Sequence, residues 1–307
     1  MPEIPDIEAY LEALRPRIVG DRLRGVRLTS PFLLRSVDPP LAAVSGRGVL
    51  DVGRLGKRIV IGLEDDYALV LHLMIAGRLH WKAVGASVPK GKGLAAFEFE
   101  SGTLLLTEAG KKRRASLHVV HGHDALAALD PGGGEAVGIG SGAFRVAMTR
   151  ENHTLKRALT DPHILSGIGN AYSDEILHRA RLSPLKQTKD LSLDEWTRLH
   201  DATEEVLTTW IERLRAEARK SFPEQVTAFR PEMAVHGRFG LPCPVCGTAV
   251  QRISYAENEC DYCPRCQTEG RVLADRALSR LLKNEWPRTI EELEAKPGLR
   301  RKGTAGD

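Results

Sequence analysis

The chain has 307 residues, of which 42% are hydrophobic and 27% charged, a composition typical of a globular protein with two or three domains. No apolar run reaches the roughly 18 residues of a membrane-spanning helix and no signal peptide is recognisable, so we expect a cytoplasmic protein without membrane contact. The net charge of +4 is uneven, at about +5 over residues 1–120 and about −4 over residues 121–270. A basic excess confined to one region suits a polyanionic partner.

The N-terminus, Met1-Pro2-Glu3, has the residues of a nucleophilic site. Pro2 is small enough for Met1 to be removed, which would leave a secondary amine at the terminus. An α-amino group has a pKa of about 7.7–8.0, so part of it is neutral and nucleophilic near pH 7. Glu3 is an acid or base directly beside it. Because many chains begin with Met-Pro without using it in catalysis, these residues alone leave both interpretations open.

The first 120 residues predict one helix followed by a β-rich domain. Apolar residues recur at helical spacing between residues 5 and 18, which predicts a helix that fixes the N-terminus against a core. Short strand-like stretches follow at residues 49–52, 58–63, 68–73, 95–100 and 103–106, separated by Gly, Asp or Ser turns. Their spacing predicts an antiparallel sandwich or barrel.

The glycine-rich stretch between residues 131 and 142 marks a predicted domain boundary. Short helices are predicted after it at residues 154–161 and 172–180, and a long helix from Ser192, whose Ser-Leu-Asp-Glu start forms a capping box. The apolar stripe of the long helix contains Leu193, Trp196, Leu199, Val206, Trp210 and Leu214. A further amphipathic helix is predicted near residues 273–283.

The five cysteines all lie between residues 243 and 266, which favours metal binding over disulfides. Two Cys-Pro-x-Cys knuckles, Cys243 with Cys246 and Cys263 with Cys266, are separated by sixteen residues. Four thiolates at this spacing predict one structural zinc ion (Zn²⁺), since they fill a tetrahedral site completely. Cys260 also precedes Cys263 by three residues, but it lacks the proline that follows the first cysteine of both knuckles. We therefore expect Cys260 not to bind zinc.

Two other stretches suit phosphate groups. Residues 166–175 place two glycines directly before a predicted helix, where backbone N–H groups and the helix N-terminus favour an anion. Residues 111–114 form the basic run Lys-Lys-Arg-Arg. Each has a simpler alternative, a tight turn for the glycines and a solvated loop for the basic run.

Together, these motifs resemble those of the Fpg/Nei (MutM-type) DNA glycosylases, the formamidopyrimidine-DNA glycosylase and endonuclease VIII family. The resemblance rests on Met-Pro-Glu-Ile-Pro-Asp at the start, Lys57 in its turn, Gly-Ile-Gly-Asn-Ala-Tyr-Ser-Asp-Glu at residues 167–175, and the stretch before the first knuckle at residues 236–243. These motifs follow the family's order over residues 2–267. The resemblance implies an α+β multidomain monomer that binds damaged double-stranded DNA.

For such a protein we expect an N-terminal antiparallel β-sandwich led by a helix, a helical helix-two-turn-helix domain and a C-terminal zinc finger. The predicted divisions are a catalytic β-sandwich at residues 1–130, a glycine-rich linker at 131–144, a helix-two-turn-helix DNA-binding domain at 145–235, the zinc finger at 236–270 and a C-terminal extension at 271–307.

The resemblance also implies roles for individual residues. It implies a bifunctional glycosylase and AP lyase of base-excision repair, a hydrolase and lyase in which Pro2 attacks the sugar C1′ and forms a Schiff base. Glu3 would protonate the opening sugar ring, and Lys57 would contact phosphate and transfer protons. β-Elimination would then break the strand. Lys156 and Asn170 would bind phosphates.

The chain departs from the family where lesions and phosphates are contacted. Asn258 stands where the family's finger has an arginine, so we expect a weaker phosphate contact and little δ-elimination. Ile75 takes the place of an apolar wedge residue, and Arg113 or Arg114 would reach the opposite base from a loop without an aromatic residue. The sequence therefore does not determine which damaged base the protein prefers. Alternatives are a divergent enzyme acting mainly on AP sites or an unusual lesion, and a noncatalytic DNA-binding protein on the same scaffold.

Overall fold

The structure of the chain, a computed structural model, describes residues 1–110, 112–255, 258–274 and 287–295. Lys111, Glu257 and all but two residues of the helix predicted near residues 273–283 lie outside the described part. Among the residues that are described, no helix is apolar over a length sufficient to cross a membrane.

The first of two compact units, residues 1–132 with 207–227, begins with helix α1, Ile4–Ile18. Glu3 is the N-cap and forms a capping box with Asp6, and Pro5 stands in the first turn, where proline is tolerated. The buried apolar residues of α1 that belong to the main hydrophobic core are Ile7, Tyr10, Leu11, Leu14 and Ile18. The helix predicted from sequence is therefore confirmed, and it starts one residue earlier.

Eight antiparallel strands follow α1. They are β1 (Arg22–Leu28), β2 (Arg47–Leu55), β3 (Arg58–Leu63), β4 (Tyr67–His72), β5 (Gly77–Lys82), β6 (Gly93–Phe99), β7 (Thr103–Glu108) and β8 (Ser116–His121). Their order is β5-β7-β6-β1-β2-β3-β4-β8, and β1 joins β2 over two register pairs. Residues from both halves of this order share one core, for example Leu79 and Phe97 with Ile61 and Leu69. The predicted antiparallel sandwich led by a helix is confirmed.

Three strands have no counterpart among the sequence predictions: β1, β5 and β8. In β1 three arginines interrupt the apolar residues, and only Leu23 is fully buried in it. The strand is specified by its partners instead, since it pairs with β6 from Leu23 to Leu28. A half-exposed strand of this kind carries a weak hydrophobic pattern of its own.

The second unit, residues 133–206 with 228 onward, contains a helical part and a cysteine hairpin. A short helix α2 (His123–Ala127) precedes it in the first unit. The described elements of the second unit are β9 (Gly134–Glu135), α3 (Ser141–Thr149), α4 (Leu155–Thr160), β10 (Leu165–Ser166), α5 (Asn170–Ala180), the start of α6 (Leu193–Lys220), β11 (Gln251–Tyr255), β12 (Asn258–Tyr262), α7 (Pro264–Thr268) and α8 (Ile290–Glu294). The predicted helical domain followed by a finger-like hairpin is confirmed.

Two details refine the sequence predictions. Helix α3 begins at Ser141, inside the predicted linker, because Phe144 and Met148 bury its apolar side completely. Leu193, which belongs to the apolar stripe of the long helix, is 68% exposed, since it is the first residue of α6. The remaining division into five parts stays a prediction.

Candidate active site

The start of α1 is buried, which is unusual for a chain terminus. Pro2 is buried and Glu3 is only 2% exposed. The Glu3 backbone N–H donates to Asp6 Oδ2 at 3.0 Å, which closes the capping box and orders the chain up to its terminus. The capping geometry therefore fixes the residues that the sequence singled out as a nucleophile and its acid or base.

The terminal amine lies near the charged side chains of Glu3, Lys57 and Arg78, and we call this region the N-terminal corner. In the structure this amine belongs to Met1, and burial lowers its pKa below the ordinary value. The Glu3 carboxylate opposes that shift, whereas the cations Arg78 and Lys57 add to it. A lowered pKa leaves more of the amine neutral at pH 7, and only the neutral form is a nucleophile.

Lys57 follows Gly56 in the turn between β2 and β3, and this glycine adopts a left-handed conformation with φ of 59°. Burial lowers the pKa of Lys57, and the Glu3 carboxylate raises it. The structure thus brings the predicted amine, carboxylate and ammonium into one electrostatic neighbourhood. A lysine of lowered pKa can exchange a proton more readily near neutral pH.

A buried ion-pair network ties this corner to its surroundings. Glu8 of α1 accepts from Arg54 Nε at 2.8 Å and from Arg215 Nη2 at 2.5 Å. The Glu8 side chain is only 10% exposed. In a separate contact of the same helix, the Leu79 backbone N–H donates to the Tyr10 hydroxyl at 3.2 Å. Because Arg54 belongs to the strand that leads to Lys57, Glu8 connects the two sequence segments of the corner.

Ile75 stands at the tip of a tight turn between β4 and β5. Met74 has a φ of 51°, and the Gly77 N–H donates to the Leu73 carbonyl at 2.9 Å. A Cβ on Gly77 would lie 2.3 Å from the Leu73 oxygen, so this close approach requires glycine. Ile75 is 55% exposed, and an exposed large apolar side chain on a fixed turn is what a wedge requires.

The loop that carries Arg113 and Arg114 is held by a buried carboxylate. Glu108, 2% exposed, accepts from the Arg114 N–H at 3.0 Å and from the Ala115 N–H at 3.1 Å. Both arginine residues are exposed, and the Arg113 guanidinium donates to the Gly91 carbonyl. The backbone of this loop is therefore fixed while its basic side chains face solvent.

In the second unit, Lys156 and Asn170 lie together at the start of α5. Lys156 Nζ donates to the Asn170 carbonyl at 2.7 Å and to Asp174 Oδ1 at 2.5 Å. The Lys156 side chain is 14% exposed and Asn170 is partly exposed. The structure brings these two predicted residues together, at a helix N-terminus that attracts anions.

A buried polar network behind Lys156 was not apparent from the sequence. Burial acts to raise the pKa of Asp174, but Lys156 and His236 outweigh it and hold that pKa below its ordinary value. His236 Nδ1 lies 2.8 Å from Asp174 Oδ2, and the Asp261 N–H donates to the same oxygen at 3.2 Å. Arg252 in turn pairs with the Asp261 carboxylate at 2.7 Å, so the buried charges are compensated.

The four knuckle cysteines converge. Cys243 Sγ lies 3.9 Å from Cys266 Sγ, and Cys246 Sγ lies 3.4 Å from Cys263 Sγ. Tetrahedral zinc with bonds of about 2.3 Å separates its thiolates by about 3.8 Å, so this donor set fits the ion. Cys260 is 1% exposed within β12, where burial raises the pKa of its thiol and favours the neutral form.

Two other observations bear on the finger. His178 of α5 lies within 4.8 Å of the Cys243, Cys263 and Cys266 sulfurs, which sequence spacing alone does not reveal. Asn258 pairs with Tyr255 in the register of the β11–β12 hairpin, and the structure describes only the backbone of Asn258. Helix α5 also buries Ser173, Asp174 and Glu175, so no local pattern in the sequence singles out His178.

Comparisons with known proteins agree with this arrangement. Three family models match in order: the formamidopyrimidine-DNA glycosylase N-terminal domain over residues 1–115, the formamidopyrimidine-DNA glycosylase H2TH domain over 138–220 and the zinc finger found in FPG and IleRS over 240–268. The zinc-finger match and the clustered donors together support the predicted structural Zn²⁺ as the cofactor of this chain.

Individual relatives match over nearly the whole chain. The formamidopyrimidine-DNA glycosylase of Thermus thermophilus is 33% identical over 279 residues, covering 88% of this chain and 100% of that protein. That of Heliobacterium modesticaldum is 32% identical over 282 residues, covering 87% and 100%. Among solved structures, a complex between the Lactococcus lactis Fpg and an abasic site containing DNA has a TM-score of 0.76 at 23% identity, covering 87% of this chain and 99% of that one. This last likeness concerns the fold.

Proposed function

The chain belongs to the formamidopyrimidine-DNA glycosylase (Fpg/Nei) family of base-excision-repair DNA glycosylases, and we propose that it excises damaged bases through Pro2 and then acts as an AP lyase. One observation carries this proposal. The buried start of α1 holds Pro2 beside Glu3, and burial lowers the pKa of the amine at this terminus, that of Met1 in the structure, in the field of Glu3 and Lys57. A protein that only bound DNA would need neither a nucleophilic amine nor an acid beside it.

Excision begins with the damaged nucleotide leaving the base stack, because its sugar is otherwise unreachable. After removal of Met1, the Pro2 nitrogen donates its lone pair to C1′. The bond between C1′ and the base breaks and the base leaves with those electrons, and the proton that the Pro2 nitrogen gives up balances the proton that the base takes up. Ring opening passes electrons to O4′, Glu3 protonates that oxygen, and Pro2 and C1′ are left joined as an iminium ion.

Strand cleavage uses the same intermediate. The iminium ion acidifies C2′, so a base removes a C2′ proton and the electrons expel the 3′ phosphate oxygen. Water then hydrolyses the iminium and frees Pro2 for another cycle. Lys57, whose pKa is lowered by burial, would contact phosphate and exchange protons in these steps.

Phosphate binding is assigned to the start of α5 and to the finger. The Asn170 side chain and the adjacent backbone N–H groups would donate hydrogen bonds to a phosphate there, while Asp174 fixes the Lys156 ammonium beside it. A bound zinc ion supplies no chemistry to the reaction and would fix the finger, held by Cys243, Cys246, Cys263 and Cys266. Damaged double-stranded DNA is the proposed partner of a monomeric, cytoplasmic protein divided into the five predicted parts.

A second candidate keeps the chemistry and changes the target. Ile75 is the exposed residue of its turn, and the described residues 112–114 of the other loop offer basic side chains to solvent. These features favour a divergent enzyme that acts mainly on AP sites or an unusual lesion. With Asn258 in place of an arginine, β-elimination without efficient δ-elimination is the expected outcome.

The experiment is a nicking assay with matched duplexes carrying 8-oxoguanine, formamidopyrimidine, an oxidised pyrimidine or an AP site. The proposal predicts cleavage of at least one duplex, with an unsaturated aldehyde on the 3′ end. Cleavage of the AP duplex alone would select the second candidate. No cleavage of any duplex by zinc-loaded, Met1-processed protein would contradict both, and efficient formation of a 3′ phosphate would contradict the inference from Asn258.

A further inference from the structure

A histidine from the helical part lies against the zinc site. His178 occupies the last turn of α5 and is 6% exposed. Its Nε2 atom lies 3.3 Å from Cys243 Sγ, within hydrogen-bonding distance of a sulfur. The cysteine spacing does not point to this residue, because it precedes the first knuckle by 65 residues.

His178 lies close enough to the cysteine sulfurs to be a zinc ligand itself, and not only a hydrogen-bond partner of one ligand. The donor atoms of His178, Cys243, Cys263 and Cys266 all lie within 4.8 Å of one another. Around tetrahedral zinc, an imidazole nitrogen and a thiolate are about 3.6 Å apart, and three cysteines with one histidine form an ordinary structural site. Cys246, which lies 3.4 Å from Cys263 Sγ, is the fifth donor of the cluster.

Charge explains why a fifth donor would be useful. Four thiolates around Zn²⁺ leave a net charge of −2, and burying such a charge is costly unless hydrogen bonds compensate it. An imidazole N–H aimed at one thiolate supplies that compensation, and partners of this kind orient and tune metal ligands. Replacing one thiolate by the neutral imidazole would reduce the net charge to −1.

We propose that His178 is a fifth donor of the zinc site. With all four cysteines bound, its Nε2–H donates to Cys243 Sγ. When Cys246 is removed, the ring proton moves to Nδ1, the Nε2 lone pair binds the metal, and a three-cysteine, one-histidine site results. Cys246 is the ligand that His178 replaces because it is partly exposed and lies outside the group of four donors that includes the histidine.

The first test separates hydrogen bonding from ligation in the full-length protein. His178→Gln keeps an N–H donor at about the same reach but is a poor zinc ligand, whereas His178→Phe has neither property. With a chelating dye in excess, His178→Gln should release zinc at close to the wild-type rate and His178→Phe at least about tenfold faster. A wild-type rate for His178→Phe would contradict the hydrogen bond.

The second test concerns the replacement of Cys246. Cys246→Ser should retain one zinc per chain after desalting, and the double variant Cys246→Ser with His178→Gln should lose it. Equal loss from both variants would overturn the proposal.

Because the double variant could also fail to fold, the single variant carries its own measurement. Cadmium-loaded Cys246→Ser with isotopically labelled histidine should show a metal–nitrogen scalar coupling that is absent from the cadmium-loaded four-cysteine protein. Absence of that coupling in Cys246→Ser would equally overturn the replacement.

Discussion

The N-terminal corner and the two exposed loops of the first unit follow opposite construction rules. Pro2 and Glu3 are buried, Glu3 forms a capping box with Asp6, and Glu8 of the same helix pairs with two arginines. The turn of Ile75 and the described loop residues 112–114 instead have exposed side chains, on a backbone that the Leu73 carbonyl and the Glu108 carboxylate hold by hydrogen bonds. Bond-making requires groups fixed to within fractions of an ångström, whereas target choice depends on what an exposed side chain can contact. Under the proposed function, the first region carries the reaction and the second carries the choice of target.

The largest expected effect comes from Pro2→Leu. Leucine in second place prevents removal of Met1, so the secondary amine is lost from the terminus. AP-site nicking should fall on the order of a thousandfold or more, since the nucleophile is gone. Pro5→Ala, which also alters the first turn of α1 but keeps the terminal amine, is the control and should stay close to wild type. Nicking by Pro2→Leu at the wild-type rate would contradict the assignment of the reaction to the buried N-terminal residues.

Glu3→Gln should separate the two steps of the reaction. The backbone N–H that donates to Asp6 is kept, but the side chain can no longer give a proton to O4′. Single-turnover base excision should fall about a hundredfold, while cleavage of a preformed AP site should fall less because its base has already left. Glu12→Gln, on the same helix, is the control. Equal losses in both assays would argue against this role for Glu3.

Glu8→Gln tests how the corner is held. It removes the carboxylate that Arg54 and Arg215 share, while Arg215 Nε keeps Glu12 at 3.9 Å. Because the Arg215 side chain is partly exposed, we expect a loss of about 2 kcal/mol in the free energy of unfolding. The exposed Arg213–Glu217 pair provides the control, and Glu217→Gln should cost less than about 0.5 kcal/mol. Urea unfolding of both variants gives the comparison. Equal, small changes would mean that the network does not stabilise the corner.

Ile75→Ala probes the recognition loops. Removing a wedge should weaken binding to a lesion duplex by about 1–2 kcal/mol, roughly tenfold, and leave the trapping rate at saturating AP DNA unchanged. Val37→Ala changes another exposed apolar residue of the same unit, at 92% exposure, and should have no effect on binding. Equal affinities for Ile75→Ala and wild type would contradict the role of Ile75 as a wedge in the base stack.

The pH dependence of trapping gives the smallest effect. Burial lowers the pKa of the amine at this terminus, which is that of Met1 in the structure, and we expect the same direction for the Pro2 amine, so the rate on AP DNA should rise with pH with a midpoint below the ordinary pKa of a terminal amine. Lys57→Met removes a cation that favours the neutral amine, so the rising limb should move to higher pH. Lys90→Met, at an exposed position, should leave the limb unchanged. A limb that moved to lower pH would contradict the assigned electrostatics.

Local patterns predicted much of this molecule. Helix α1 is specified by its own apolar spacing and by Pro5, and β3 by alternation within six residues. The knuckles are specified by cysteine spacing alone. In each case the signal lies within a few residues, so no knowledge of the tertiary structure is needed.

Contacts between distant residues could not be predicted in the same way. Asp174 meets His236 across 62 residues, and His178 meets Cys243 across 65. Neither pair has a periodic signal, because each depends on how α5 packs against the residues around the finger. Strand β1 was missed for the same reason, since β6 rather than its own pattern defines it.

The most direct test of the central claim is to trap the intermediate and locate it. Zinc-loaded protein is incubated with an AP-site duplex and sodium borohydride, and the cross-linked peptide is mapped by mass spectrometry. The account predicts a reduced adduct on the nitrogen of Pro2, with Met1 absent. An adduct on Lys57 or another lysine, or no adduct while the strand is still nicked, would contradict it.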